Sequence, residues 1–477
     1  MGCSVLYAYD LFECLKSGYI KLEMLSKYEQ VYDLKVVDKM AWLGLNHSKY
    51  GSESDSTLVE LLKRNLAGES FQSLQRQVID ELNRSFNRFH EHSLWPHYNN
   101  VEHRFVLALH NLVGNGIAID KPYIETEIQS LEVERNKQMR KLLDSDVYHP
   151  DHLSVQEYLT ENFGPDDANA LLNMFQFKGA SSLRSVDPIF ENLHRIDKIE
   201  RSARIATGLV GRQGRFIPEY DTMGAVTGRC TSRNPNLMGL PRESRHIIRP
   251  ERGMQIIECD YKQMEIGVLA GLSKDELLTK DFNTGDVYSR FAESVSISRD
   301  TAKTLVLGIL YGMTTNTLAT LLKADEGQAS MLVEKFFSRY ETVHQYQKEL
   351  VKKGEQQGYL DSVSGLRRFV NNSAPKTTAT RSWENNWFKN FPIQSSAATL
   401  FKQAIIDLAD QLFGRNFKLI VPHYDAIVFQ APTEESDMYT KQVEAAMFRA
   451  MKTQFPYLNP QIDVKANQAE VGGLLGE

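Results

Sequence analysis

Two aspartates stand where a carboxylate is held rigidly yet stays reachable. Asp260 lies near the end of Gly253 to Tyr261 (GMQIIECDY), a run with strand character from Ile256 and Ile257. Beyond Tyr261, Met264 and Val268 recur at helical spacing, with Lys262 and Glu265 interleaved. Asp425 lies within LIVPHYDAIVFQ, two apolar β-runs about a turn, the pattern of a hairpin. If that hairpin lies beside the first strand, two carboxylates meet at one edge of a sheet. Such a pair suits Mg²⁺, which takes oxygen ligands and keeps substrate phosphates in its shell. Taken singly, either residue also reads as a solvated turn Asp.

A second group of residues is suited to phosphate. Arg299, Lys303, Leu307 and Tyr311 recur every four residues, so they share one drifting helix face. Two cations, an apolar side chain and an aromatic on one stripe could grip a triphosphate and pack against its sugar and base. A surface helix with a basic edge is the plainer reading. It leaves Gly308 and Gly312 unexplained, since glycine within a helix costs about 1 kcal/mol against alanine. From Arg201 to Arg252 the chain has ten Arg, no Lys and four acidic residues. Arginine without lysine points to directed, bidentate contacts rather than a diffuse basic cloud. The irregular loop Thr227 to Pro241 (TGRCTSRNPNLMGLP) lies in that stretch and offers Arg229 with hydroxyl and backbone donors. Asn390 to Ile406 predicts a helix beginning after Pro392, with Ser395, Ser396, Ala397 and Ala398 allowing close packing.

The elements that must position these groups belong to an ordinary globular chain. At 477 residues, about two to four domains or subdomains are expected. A hydrophobic content of 42% and a charged content of 24% fit that class. No apolar run approaches the roughly 20 residues of a membrane span, and no signal-peptide pattern opens the chain. Cys3, Cys14, Cys230 and Cys259 have no CxxC spacing, so an intracellular, cytoplasmic setting is expected. The net charge of −6 argues against indiscriminate nucleic-acid binding. Ser56 to Ala67 has a helical pattern, and WPHYNN (Trp95 to Asn100) reads as a linker. Val101 to Leu112 reads as an amphipathic helix, Gly114 to Ile124 as a turn and short strand, and Glu125 to Leu143 as a charged helix. Gln156 to Ile205 reads as short helices and loops.

Together and in this order, the stretches resemble the polymerase region of family A DNA polymerases. Asp260-Tyr261-Lys262-Gln263-Met264-Glu265 is similar to the family's motif A, usually DYSQIE. Arg299, Lys303, Gly308, Tyr311 and Gly312 match motif B, and Asp425 falls on the aspartate of motif C. Thr227-Gly228-Arg229, Ser232 and Pro235-Asn236-Leu237 match the stretch ahead of motif A. Asn390 and Gln394 match NxPxQGTAAD, and Asn115 to Asp120 is typical of the start of the polymerase domain. The resemblance covers about residue 99 to the C-terminus. It implies an α/β (α+β) right-hand fold, with thumb roughly 120–205, palm roughly 206–280 and 392–477, and fingers roughly 281–391. It implies two Mg²⁺ ions, with Mn²⁺ as a substitute, held by Asp260, Asp425 and the Tyr261 carbonyl. Arg299, Lys303, Leu307, Tyr311, Gln263, Glu265 and Tyr288 would bind the dNTP, with Lys303 a candidate acid for pyrophosphate and Glu265 a steric gate against ribose. Thr227, Arg229, Asn236, Gly312, Asn390, Gln394 and Tyr424 would bind the primer–template.

Departures from the pattern matter as much. Motif C usually reads HDE and here is Tyr424-Asp425-Ala426. Leu307 replaces motif B's usual Phe or Tyr, as in viral and phage members, so a phage origin and the host cytoplasm are expected. Asn386 stands where a basic residue is common. Residues 1–98 resemble the latter part of a 3′–5′ exonuclease domain, with Tyr9-Asp10 like its second motif and Val36 to Leu45 like the following segment. The first motif, DxE, is absent and no convincing YxxxD follows, so a truncated or vestigial domain is expected, and a 5′-nuclease domain would not fit. A single-subunit RNA polymerase shares the palm carboxylates and motif B's Lys and Tyr, but Glu265 and the Thr227-Gly228-Arg229 stretch argue against it. A non-catalytic primer–template binder is opposed by Asp260, Asp425, Arg299 and Lys303 occurring together.

Overall fold

The computed structural model describes residues 4–45, 71–184, 186–212, 214–322, 324–371 and 377–467. The helical pattern at Ser56 to Ala67 lies outside them. A four-stranded antiparallel sheet forms the floor of the molecule, with strands β1 (Met254–Tyr261), β2 (Lys418–His423), β3 (Ala426–Pro432) and β4 (Ile462–Asn467) in the order β2-β3-β1-β4. Strand alternation divides β1 by face. Ile257, Cys259 and Tyr261 are at most 3% exposed, while Ile256, Glu258 and Asp260 take the opposite face. On β3, Ile427, Phe429 and Ala431 are fully buried.

Five helices position the site: α1 (Met264–Ser273), α2 (Val287–Val295), α3 (Arg299–Leu310), α4 (Thr378–Leu412) and α5 (Ser436–Gln454). Helix α5 packs on β1, β3 and β4, and α4 packs on α5. Their Leu400, Ala404, Ile405, Val443, Ala446 and Met447 fill the core beneath the sheet. The Tyr261 hydroxyl donates to the Met447 carbonyl, pinning the end of β1 to α5. Helix α1 is buried nearly all round, and the ring of Phe455 lies where a side chain on Gly271 would stand. The end of β1 is thus fixed from below and from the side, which holds Asp260 in place.

Four expectations need correction. Helix α4 does not begin after Pro392 but runs through it. An interior proline costs about 3 kcal/mol, and burial of Trp387, Phe388 and Phe391 in the turns before it offsets that. WPHYNN is no linker. Trp95–His97 and the wider turn Tyr98–His103 lead directly into the helix Arg104–Val113. Tyr98 is fully buried, and its hydroxyl donates to the Val31 carbonyl at 3.0 Å and accepts from the Asp33 N–H at 2.5 Å. Turn-favouring residues were overridden by aromatic packing against Tyr32 and Phe89. Gly312 is not within a helix either; α3 ends at Leu310, and Gly312 has φ 68°. Finally, Pro188–Val210 is one continuous 23-residue helix. It packs along Lys121–Leu143, with a satellite core of Leu142, Leu159, Phe190 and Leu193 between their ends.

The described part of residues 1–98 contains a parallel strand pair, Val5–Ala8 with Gln30–Asp33. It has no core of its own. Leu11, Phe12 and Leu15 join Phe105 and Leu109, while Val36, Val37 and Met40 join Trp387 and Phe391. Lys39 reaches Asp221 at 2.6 Å and Lys35 reaches it at 3.6 Å, so buried ion pairs also cross the boundary expected at residue 98.

Candidate active site

Antiparallel register sets Ala426 opposite Asp260, and the Tyr261 N–H donates to the Asp425 carbonyl at 3.1 Å. The turn between β2 and β3, where Tyr424 adopts φ 58°, therefore presents Asp425 beside Asp260. Burial pushes the Asp425 carboxyl up to about 6, the negative charge of Asp260 adds to the shift, and Arg229 opposes it. Burial likewise raises Asp260. Two carboxylates that resist ionising side by side are relieved by a shared cation. Their all-oxygen donor set fits a hard divalent ion.

Asp425 borders a cavity of about 260 Å³, lined also by Arg229, Gln263, Met264, Glu265, Ile266, Tyr288, Leu307, Tyr311 and Tyr424. Its walls are tied together. Arg229 pairs with Glu265 Oε1 at 2.5 Å, and the Tyr311 hydroxyl donates to Glu265 Oε2 at 2.9 Å. The Arg229 guanidinium also lies 5.8 Å from the centre of the Tyr424 ring. Burial pushes the Tyr288 phenol up to about 12, so it stays a neutral donor. Helix α3 is capped by Ser298, whose hydroxyl accepts from the Thr301 N–H at 3.1 Å. Arg299, Lys303 and Leu307 then succeed one another along one face, as the spacing predicts. Only Leu307 reaches the cavity lining, and the exposed Arg299 and Lys303 stand outside it. Tyr311 sits just past the helix, its N–H on the Leu307 carbonyl at 2.9 Å.

The residues expected at the duplex are more dispersed. Asn236 is used internally: its Oδ1 accepts from the Ser232 hydroxyl and from the Gly239 N–H, both at 3.1 Å. Thr227 is buried in the same loop. Asn390 and Gln394 stand one turn apart on α4, and Asn390 Oδ1 is buried with no hydrogen-bond partner among the described residues. A buried acceptor without a partner is costly, and a donor from water or a ligand would satisfy it. Gly312 is explained by Asn386, since a Cβ at 312 would meet Asn386 Oδ1 at 2.6 Å. One residue escaped sequence reading. Asp286 joins Gln263 to Arg299, and its only sequence signal is its place as an N-cap before the Val287-Tyr288 helix.

Comparison with known proteins decides the family. The family model described as DNA polymerase family A matches residues 124–470. The chain belongs to DNA polymerase family A. The thermostable DNA polymerase I of Thermus thermophilus is 26% identical over 413 residues, 80% of this chain and 48% of that protein. The DNA polymerase I of Caldicellulosiruptor bescii is 30% identical over 261 residues, 51% of this chain and 31% of that one. The chain thus spans about half the length or less of these curated relatives. The POL domain of Pol1 from M. smegmatis, solved in complex with DNA primer-template and dNTP, has the same fold. Its TM-score is 0.74 at 21% identity, covering 96% of this chain and 85% of that one. The right-hand polymerase fold expected from the motifs is therefore present. Among the described residues no helix is long and apolar enough to cross a membrane.

Proposed function

We propose that this family A member is a template-directed DNA polymerase that adds dNTPs to a primer 3′-hydroxyl. One observation carries the reading: strand pairing sets Asp260 beside Asp425, and Asp425 lines a cavity walled by Arg229, Glu265, Leu307 and Tyr311. Asp260, Asp425 and the Tyr261 carbonyl would hold two Mg²⁺ ions, which when bound activate the primer hydroxyl and neutralise the departing pyrophosphate. Arg299 and Lys303 bind the triphosphate, and Lys303 would give the pyrophosphate a proton as it leaves. Glu265, braced by Arg229 and Tyr311, fills the space a ribose 2′-hydroxyl needs. Arg229, Asn390 and Gln394 face the minor-groove edge of the primer–template, where every base pair presents acceptors. Residues 121–210 then act as thumb, the sheet with α4 and α5 as palm, and α2 and α3 as part of the fingers. Primer extension with Mg²⁺ on a defined template tests the proposal, and an inert protein under those conditions removes it. Comparing dNTP with rNTP tests the Glu265 role.

Excision of primer ends is not part of this activity. Asp10 is occupied as the cap of Leu11–Lys16 and as the partner of Lys35 at 2.7 Å. The Asp33 carboxylate accepts from the Leu11 N–H at 2.8 Å. A 3′-mismatched primer incubated with Mg²⁺ and no dNTP should keep its length. Shortening that persists in Asp260→Ala would show a working nuclease site.

Leu307 lies in the cavity wall near Tyr288 and Glu265, half-buried and packed against the edge of the core. An aromatic ring there gains packing on the incoming sugar that leucine lacks. Leu307→Phe and Leu307→Tyr should speed single-nucleotide incorporation, and Leu307→Tyr should raise acceptance of dideoxynucleotides relative to dNTPs. Overpacking of a core site would instead cost about 1–3 kcal/mol. A lower melt with unchanged dideoxy selectivity would return Leu307 to the core.

A further inference from the structure

Asp286 gathers more of the nucleotide-binding residues than any other side chain near the cavity. Its carboxylate caps α2 through the Tyr288 N–H at 3.1 Å and takes the Ser289 hydroxyl at 2.8 Å. It accepts from Gln263 Nε2 at 2.7 Å, and Gln263 Oε1 returns a bond from the Val287 N–H at 3.2 Å. Its fourth donor is Nε of Arg299. That last contact has a geometric consequence. A guanidinium held by Nε keeps its two terminal nitrogens free, and those of Arg299 make no other hydrogen bond among the described residues. Its side chain is half exposed. The ring of Tyr288, 5.8 Å from the guanidinium carbon, limits its swing on one side.

We propose that Asp286 is a positioning residue for the triphosphate: by gripping Nε it aims the terminal nitrogens of Arg299 at the incoming phosphates, and through Gln263 it locks the turn between β1 and α1 to the same frame. The proposal rests on the polymerase reading for the identity of the natural ligand. Asp286 itself touches no phosphate. Its negative charge close to an anion site is a Coulombic penalty, which the fixed arginine must exceed.

That opposition makes the test a matter of sign. Asp286→Asn keeps the helix cap, since Asn caps as well as Asp, and removes the charge that grips Arg299. If the carboxylate were only a nearby charge, its removal would tighten anion binding. If it positions Arg299, removal weakens it. Inorganic tripolyphosphate is titrated calorimetrically into the full chain, wild type and Asp286→Asn, and dATP KM and kcat are measured in primer extension. The expected result is about tenfold weaker tripolyphosphate binding, the scale of one charge-assisted hydrogen bond, with KM for dATP rising by a similar factor and kcat falling much less. Arg299→Lys, which keeps the charge but has no Nε to hold, should lose about as much. Adding Asp286→Asn to Arg299→Lys should then change little further, because the two act as one unit. Unchanged or tighter tripolyphosphate binding by Asp286→Asn would overturn the proposal, as would full additivity with Arg299→Lys. A wild-type chain that binds tripolyphosphate but never extends a primer would remove the polymerase reading instead, and the calorimetric comparison would still decide the role of Asp286.

Discussion

Asp425→Ala or Asp260→Ala should slow primer extension by about a thousandfold or more, which is roughly 4 kcal/mol of barrier, while primer–template affinity changes little. The two effects separate because holding a metal ion and holding the duplex fall to different kinds of group. Asp425 lines the cavity with Asp260 beside it on the neighbouring strand; burial raises both carboxyls and the charge of Asp260 raises Asp425 further, which suits a divalent cation. In the proposed reading the duplex is held instead by arginines and polar donors, which would fix position without taking part in the chemistry. Losing a carboxylate also removes a like-charge contact from the pair, so the fold should gain rather than lose stability. Extension by single-turnover kinetics, binding by fluorescence anisotropy and a thermal melt distinguish these terms. A variant still extending at about a tenth of the parent rate would take the carboxylates out of the reaction. A variant inactive because it no longer binds DNA would move them to the duplex.

How far this site is legible in the sequence depends on how local its determinants are. Asp260 and Asp425 could be placed because strand alternation and a tight turn are written in neighbouring residues, and antiparallel pairing then brings the two together. The stripe Arg299, Lys303, Leu307 comes from helical spacing alone. The same spacing singled out Tyr311, and resemblance to the family supplied the role of Glu265. What remained hidden was decided by distant parts of the chain. Pro392 reads as a helix start, but the aromatic residues before it join a core built with Val36, Tyr98 and Leu366 and carry the helix through. Trp95 to Asn100 reads as a linker until Tyr32 and Phe89 are seen around it. Gly312 needs Asn386, 74 residues away, to explain it. Asp286 gives little more than a cap signal, because its partners Gln263 and Arg299 flank it at no regular spacing. The first 45 residues resemble part of another domain, yet their cores are shared with the polymerase region.

Buried charge also braces the remainder of the chain, and one buried pair should dominate the stability around α4. Lys402 on α4 contacts both oxygens of Glu102, at 2.7 and 2.6 Å, and the two side chains are 2% and 1% exposed. His97 Nε2 lies 3.0 Å from the same carboxylate, and His97 Nδ1 lies 2.8 Å from the Ser364 hydroxyl. Burial alone would push the Glu102 carboxyl up, but Lys402 and His97 outweigh it and hold it below its usual range. Glu102→Ala strands a buried ammonium and should cost about 3–5 kcal/mol. The double change Glu102→Leu with Lys402→Met removes both charges together and should recover much of that loss. Because the folded carboxyl titrates below its unfolded value, its contribution is present above an ordinary Glu pKa of about 4.3 and fades as pH falls through the depressed one. The wild type should therefore lose stability below about pH 4 more steeply than the double variant. Function should track stability here, since Lys402 also lines a small cavity with Arg229 and Tyr424, two residues of the proposed primer–template surface. Denaturant melts of the three proteins at neutral and acid pH give the answer. If Glu102→Ala melts with the parent at neutral pH, the pair is a spectator and the bracket between residues 97–103 and α4 is held by packing alone.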